Sequence, residues 1–404
     1  MFILRFLEKK IEVLSYIYQL RSLTYTDIYD FIFKRDELSE KYCHKIIREM
    51  VLEEVLEKVG YYKEKSYFFI TAKGIRELKK CGYYSIGTNS KIALSETLSP
   101  KDLKMSPTKI DHQHSLNHFV LKYSKTHSFD YYDEKYVSRV ISGCLPDGVI
   151  KEVSRILFLE MDMNTEREKA LGKKWKNYRR FLDSQEYYDM EYPITVLFIL
   201  GNGVDNSSKR ATKLRKQIHE YLYDRISNNF NILIGTEEYL LNKIDNKDTT
   251  YIKETLLKQG YTVNKGVVSD DSLSGFSFDY YINMLSPESK LVTKGGYTEE
   301  YLIDDMTDCN IYSYCKLNSI DSLISKFKFN HNREIKYVAV MDSEEEAYRI
   351  FSEIDSPNPN IYFSTPSRLK NSSFHSALFQ MSKDKRKWHF SEESLGVLIE
   401  EGKI

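Results

Sequence analysis

Asp147, Glu160 and Asp162 are the residues whose types and spacing come closest to chemistry. They lie in two runs, Leu145-Pro146-Asp147-Gly148-Val149-Ile150 and Ile156-Leu157-Phe158-Leu159-Glu160-Met161-Asp162, followed by a basic helix. Pro146 cannot donate to a ladder and fits a strand start. Val149 and Ile150 favour a pleated, half-buried surface. Residues 151–155 are polar and short enough to turn the chain, so the two runs predict a hairpin. Glu160 and Asp162 sit two apart and share one face, where Asp147 from the neighbouring strand converges on them. Carboxylates gathered at a strand end are oxygen ligands for a hard cation such as Mg²⁺.

The elements that position such a cluster are bounded by the whole chain. At 404 residues it is too long for one ordinary core, and two or three domains are expected. The formal net charge is zero, so affinity for nucleic acid must come from local patches. There is no long apolar run, and residues 1–6 are too few and too charged at Arg5 for a signal peptide. No membrane partner is expected. Five scattered cysteines without a C-x-x-C pair argue against a disulfide framework or zinc site and for a reducing cytoplasm.

Residues 1–82 read as one domain. Leu7, Ile11, Leu14, Ile17 and Tyr18 recur at helical spacing. Thr24 or Thr26 caps a short second helix, and Ser39 caps a third with the apolar face Tyr42, Cys43, Ile46, Ile47, Met50 and Val51. Val55 to Val59 and Tyr67 to Ile70 are strands, and a fourth helix starts at Thr71. This order resembles a winged helix-turn-helix domain, and the Thr71-x-x-Gly74-x-x-x-Leu78 end is common in that superfamily. The resemblance implies that Lys41, His44, Lys45 and Arg48 lie along a major groove while Lys63 and Lys65 ride the wing towards phosphates. Basic residues exceed acidic ones in residues 1–84 by only three, which leaves a protein-contact role open beside DNA binding.

Residues 83–110 turn polar and read as a linker with a short helix near Lys101 to Lys104. Residues 111–245 read as an α/β domain. His114 and His118 share a helix face and read first as packing, second as a metal pair. Residues 131–136 read as a strand leading into the carboxylate hairpin.

Taken in order, the wing domain, the histidine-rich helix, Pro146-Asp147-Gly148, Phe158-Leu159-Glu160-x-Asp162-x-x-Thr165-Glu166 and the lysine-rich helix with Tyr178 resemble the replication-relaxation family. The resemblance runs over residues 1–241. It implies a setting on plasmids and other mobile elements, in replication, relaxation or transfer, with DNA and other replication or relaxosome proteins as partners. The same hairpin resembles the core of PD-(D/E)XK nucleases. There Asp and Glu hold Mg²⁺ and a Lys two residues on orients the attacking water, so the resemblance implies Asp147 and Glu160 as metal ligands, beside which the strand spacing adds Asp162. Asp162 stands where that lysine would be. Lys169, Lys173 or Lys174 from the next helix is the substitute, with Lys173 taken as the catalytic lysine.

Between Glu166 and Arg180 seven basic residues face two acidic ones, with the acids in the first turn as the helix dipole favours. Lys169, Lys173, Lys174, Lys176 and Arg179 are the candidates to track phosphates, and Lys209, Arg210, Lys213, Arg215 and Lys216 form a second basic run. Residues 250–404 read as a C-terminal α/β domain. Its strand–helix–strand unit from Lys336 to Thr365 parallels the unit from Ile194 to Thr236, which suggests a degenerate internal repeat lacking the carboxylate set. The fold class expected is therefore multidomain α+β and α/β: a winged helix-turn-helix, a nuclease-like α/β domain and a degenerate α/β repeat. Function divides among a non-cleaving cytoplasmic DNA-binding protein, a Mg²⁺-dependent endonuclease and a winged-helix transcriptional regulator.

Overall fold

Several helix starts are set by side-chain caps. Thr24 accepts from Asp27 N–H in a reciprocal capping box, Ser39 from Tyr42 N–H and Thr71 from Gly74 N–H. The structure is a computed structural model that describes residues 2–60, 66–88, 90–92, 98–141, 143–164, 168–201, 209–227, 229–244, 250–265, 278–284, 299–307, 311–332, 334–353, 360–381, 387–390 and 397–400. It is a mixed α/β protein whose chain divides into two units, Met1–Gly203 and Val204–Ile404. The first takes in the expected N-terminal domain together with most of the expected nuclease-like core. No described helix is long and apolar enough to cross a membrane.

In the first unit, α1 (Phe2–Leu20), β1 (Leu23–Thr24), α2 (Tyr25–Ile28) and α3 (Glu40–Leu52) precede a hairpin of β2 (Leu56–Gly60) and β3 (Ser66–Ile70) and then α4 (Ala72–Cys81). β3 is the middle strand of three, paired antiparallel with β1 and β2. Gly74 lets α4 close on this hairpin: a Cβ there would meet Val55 O at 2.5 Å and Ile70 Cγ1 at 2.7 Å.

The stretch expected as a linker packs instead. β4 (Tyr83–Tyr84) pairs β5 (Lys91–Ile92), α5 (Pro100–Leu103) follows, and Ile86, Leu103, Met105 and Ile110 are buried. With Leu98 they make five buried apolar side chains inside a polar composition, a burial that the composition hides. α6 (Ile110–Tyr123) then anchors on the N-terminal segment, because the buried Asn117 donates to Leu20 O at 2.9 Å and Ser22 O at 2.7 Å.

Next come β6 (Asp130–Asp133), α7 (Glu134–Val140), β7 (Gly148–Lys151), β8 (Ile156–Asp162), α8 (Glu168–Leu182), α9 (Gln185–Tyr188) and β9 (Ile194–Leu200). The strand expected over residues 131–136 stops at Asp133, because its carboxylate caps α7 by accepting from Tyr136 N–H at 3.0 Å. β6, β7 and β8 are antiparallel neighbours and β8 pairs β9 in parallel. α8 is the crossover between those parallel strands and buries Leu171, Trp175, Tyr178 and Phe181.

The second unit holds α10 (Lys209–Leu222), β10 (Phe230–Thr236), α11 (Glu237–Lys243), α12 (Thr250–Lys258), β11 (Thr262–Lys265), β12 (Tyr280–Met284), β13 (Glu299–Asp305), α13 (Ile311–His331), β14 (Ile335–Val340), α14 (Glu344–Glu353), β15 (Ile361–Ser364) and α15 (Pro366–Asn371). α16 (Phe374–Ala377), β16 (Phe379–Met381), β17 (Lys387–Phe390) and β18 (Val397–Glu400) complete it. β11 through β18 form one sheet in chain order. Apolar clusters cover it on both sides, one around Leu302, Tyr337 and α13, the other around Tyr301, Val340 and Leu378.

The repeat expected from sequence has a matching topology and extends further back than the strand–helix–strand pair. β6, β7, β8, α8 and β9 run antiparallel, antiparallel, crossover, parallel; β11, β12, β13, α13 and β14 do the same. Thr236 and Thr365 cap the helices that close the parallel segments, each accepting from the N–H three residues on. The sequence also reads as a hairpin of this repeat from Phe276 to Ile282 and Leu291-Val292-Thr293; residues 291–293 lie outside the described residues, and the strand that pairs β12 is β13.

Candidate functional site

The hairpin of β7 and β8 brings Asp147 and Glu160 to one end of the first unit's sheet. Asp147 precedes Gly148, which pairs with Leu159, and Glu160 is the next residue on β8. Met161 N–H donates to Asp147 Oδ2 at 2.8 Å and fixes the loop carboxylate against the strand. Glu160 is almost wholly buried, at 1% exposed. Its oxygens receive Lys174 Nζ at 2.7 Å and Tyr178 Oη–H at 2.6 Å, both from α8. Helical spacing of four puts Lys174 and Tyr178 on the same face over the strand end.

Lys174, rather than Lys173, is the lysine that reaches the cluster. Lys173 is exposed, because one helical residue rotates a side chain by about 100° away from the buried face. Asp162 does not join Asp147 and Glu160 around one point. Its Oδ1 accepts from Asn164 N–H at 2.9 Å, closing the turn after β8. Among the described residues, no three His, Cys, Asp or Glu side chains are arranged to hold a metal ion.

His112 is the member that sequence reasoning missed. Its Nε2 lies 3.2 Å from Asp147 Oδ2. The sequence places it two residues before His114, roughly on the opposite side of the helix, but only the docking of α6 brings it to the hairpin. His114 instead faces Asp27, with Nδ1 3.4 Å from Oδ2, and stands edge-on to Tyr67. His118 stands edge-on to Phe31. Packing is what the structure gives this pair.

The charges settle accordingly. Burial pushes the Glu160 carboxyl up, Lys174 pulls it back only in part, and it rests at about 7. Burial also pushes at Asp147, but the hydrogen bond and charge of His112 overcome it and hold the carboxyl below its ordinary value. Burial pulls His112 down, and Asp147 more than restores it, so the imidazole sits above its ordinary value. Burial, reinforced by Glu160, drives Tyr178 well above the usual phenol range. The cluster is thus two acids, each matched by a cation from a helix. It can hold charge in place and exchange a proton near neutrality.

The second unit lacks the Glu-x-Asp spacing at β12 and β13, as read from the sequence, yet carries a counterpart of the Asp147, Glu160 and Lys174 arrangement. Tyr280 pairs with Ile303 as Gly148 pairs with Leu159, so Asp279 corresponds to Asp147 and Asp304 to Glu160. Asp305 N–H donates to Asp279 Oδ2 at 2.9 Å, as Met161 N–H does to Asp147. Lys316 from α13 reaches Asp304 Oδ2 at 2.6 Å, as Lys174 reaches Glu160. Tyr337 adds a hydroxyl donor at 2.8 Å. Met306 occupies the position of Asp162. The two clusters differ in access: Lys316 is 4% exposed and Lys174 20%. A sealed, fully bonded ion pair is a structural device, whereas the first cluster keeps partial access to solvent through Lys174, Asp147 and His112.

Of the residues read as DNA-binding, Lys41, His44, Lys45 and Arg48 are all exposed on α3, opposite the buried Cys43, Ile46, Ile47 and Met50. Lys169, Lys173 and Lys176 are exposed on α8, while Arg179 is half-buried. Lys63 and Lys65 lie outside the described residues. In the second basic run, Arg215 is buried at 2% exposure and so departs from a solvent-facing stripe. It falls on the apolar side of α10 beside Ala211, Leu214 and Ile218.

No family model matches the chain, and no curated protein or solved structure matches it either.

Proposed function

We propose that the protein binds double-stranded DNA and that its α/β core holds DNA without cutting it. The observation that carries this reading is the division of α3. One side is buried in the N-terminal core, and Lys41, His44, Lys45 and Arg48 occupy the other. The order of three helices, a hairpin and a closing helix fits a winged helix-turn-helix domain, in which such a helix enters the major groove. Exposed Lys169, Lys173 and Lys176 on α8 supply further phosphate contacts. The resemblance to the replication-relaxation family supplies the setting: replication, relaxation or transfer of a mobile element, with relaxosome or replication proteins as partners.

The non-cleaving part of the reading rests on the carboxylates. Lys174 and His112 already neutralise Glu160 and Asp147 from within the protein. The second reading, a Mg²⁺-dependent endonuclease, is favoured by one observation: an Asp, a Glu and a Lys meet at the end of one hairpin, as the nuclease likeness implies. Supercoiled plasmid incubated with the full chain in Mg²⁺ or Mn²⁺ separates the two. Retarded but intact plasmid supports binding alone. Nicking that Asp147→Ala and Glu160→Ala abolish establishes the endonuclease and overturns the proposal.

A further inference from the structure

A cavity of about 730 Å³ opens between α3, the β2–β3 hairpin and α6. That is the size range of pockets for small organic ligands. Its apolar wall is made by Ile47, Val51 and Phe68, and His44, Arg48 and Lys58 bring cationic or titratable nitrogens to it. The His44 ring stacks on Tyr25 at 3.9 Å with an interplanar angle of 16°, which presents a flat aromatic surface.

Among the described residues one carboxylate lines the cavity, and it is already committed. Asp27 Oδ2 accepts from Thr24 N–H at 2.9 Å and from the Thr24 hydroxyl at 2.6 Å, with His114 Nδ1 3.4 Å away. The remaining charge among the described lining residues is cationic. A cavity with an apolar wall, a flat aromatic surface and basic groups selects a flat ring joined to an anion. Rings stack on aromatic faces with little regard to their identity, and phosphates take their charge-assisted bonds from Arg and Lys.

We propose that this cavity binds a nucleotide unit, a base with its phosphate. The shared chemistry has two sources, a free mononucleotide or a nucleotide at the end of a strand. The site goes beyond the reading of α3 as a groove-binding helix, since a nucleotide can occupy it whether or not duplex DNA binds. Because His44 and Arg48 belong both to the cavity and to the exposed face of α3, an occupied cavity competes with duplex for those two side chains.

The test is calorimetric titration of the full chain with the four ribonucleoside 5′-monophosphates, adenosine, inorganic phosphate and a 5′-phosphorylated tetranucleotide. At least one monophosphate or the tetranucleotide is expected to bind saturably with a Kd below about 1 mM. A tetranucleotide about tenfold tighter than any monophosphate identifies the strand as the source, and the reverse identifies a free nucleotide. The Arg48→Ala/Lys58→Ala double variant is expected to lose about tenfold or more, with Lys79→Ala on α4 unchanged. Thr26→Trp, built from an exposed position at the rim, should block entry. The double variant alters only exposed residues and decides the matter if the tryptophan variant does not fold. Absence of saturable binding, equal affinity in the double variant, or adenosine binding as tightly as its monophosphate would overturn the proposal.

Discussion

Lys174 Nζ stands 2.7 Å from Glu160 Oε2, and the same relationship recurs in the second unit as Lys316 Nζ 2.6 Å from Asp304 Oδ2. In both units a lysine from the crossover helix meets an acid near the end of the strand that precedes it. The repetition identifies the pair as part of the fold's own logic. A crossover helix must be seated on the sheet, and a buried ion pair with a hydroxyl donor seats it in one register.

The two pairs should nevertheless respond differently to loss of the cation. Removing one partner of a buried pair typically costs about 3–5 kcal/mol, because the other charge is left uncompensated. Lys316→Met is expected to cost that much in denaturant unfolding. Lys174→Met should cost less, since Glu160 already titrates near 7 and can shed its charge by taking a proton. Equal losses in the two variants at pH 7 would contradict the difference in access argued for the two clusters.

The pH dependence of stability has a definite sign. Glu160 binds its proton more tightly in the folded chain, with a value raised from 4.5 to about 7. Between those values the folded state holds more protons than the unfolded one, so stability falls as pH rises and levels off above about 7. His112 acts in the same direction. Its folded value lies above 6.5, so its contribution is complete below that pH and is lost as pH rises through the folded value. Asp147 acts oppositely: its contribution is present above 3.8 and is lost as pH falls through its lowered value. Melting temperature against pH should therefore show a descending limb from about pH 4.5 to 7, flattened in Glu160→Gln.

Local geometry in the N-terminal segment supplies a third check. Gly74→Ala would set a Cβ 2.5 Å from Val55 O and 2.7 Å from Ile70 Cγ1, and backbone cannot give way as a long side chain does. A loss of about 1–3 kcal/mol is expected. Ser39→Ala removes the acceptor for Tyr42 N–H at the start of α3 and should cost about 1 kcal/mol. Chemical denaturation of both variants reads these values; a neutral Gly74→Ala would show that α4 does not close on the hairpin as described.

What the sequence made legible was local. Ser39 as a cap, a cap at Thr24 or Thr26, the helix start at Thr71, the period of α3, and the β7–β8 hairpin with Asp147 and Glu160 at its end follow from neighbouring residues alone. What it concealed was tertiary. His112 meets Asp147 only because Asn117 docks α6 against Leu20 and Ser22. Lys174 is distinguished from Lys173 only by which face of α8 is buried. The Asp279, Asp304 and Lys316 set escaped because Asp279, just before β12, and Asp304, on β13, are far apart in sequence and lack the Glu-x-Asp spacing. The 83–110 segment looked like a linker because its few buried side chains are diluted by Ser, Thr and Lys.

The most direct measurement is the affinity of the full chain for a short duplex as a function of salt, by fluorescence anisotropy. Each phosphate contact contributes about 0.9 to the slope of log K against log salt. Wild type is predicted to bind with a slope of several units, and Lys41→Ala, Lys45→Ala and Arg48→Ala each to weaken binding and lower the slope by about 1. Absence of duplex binding at low salt, or affinity that ignores both salt and the loss of these α3 side chains, would contradict the account.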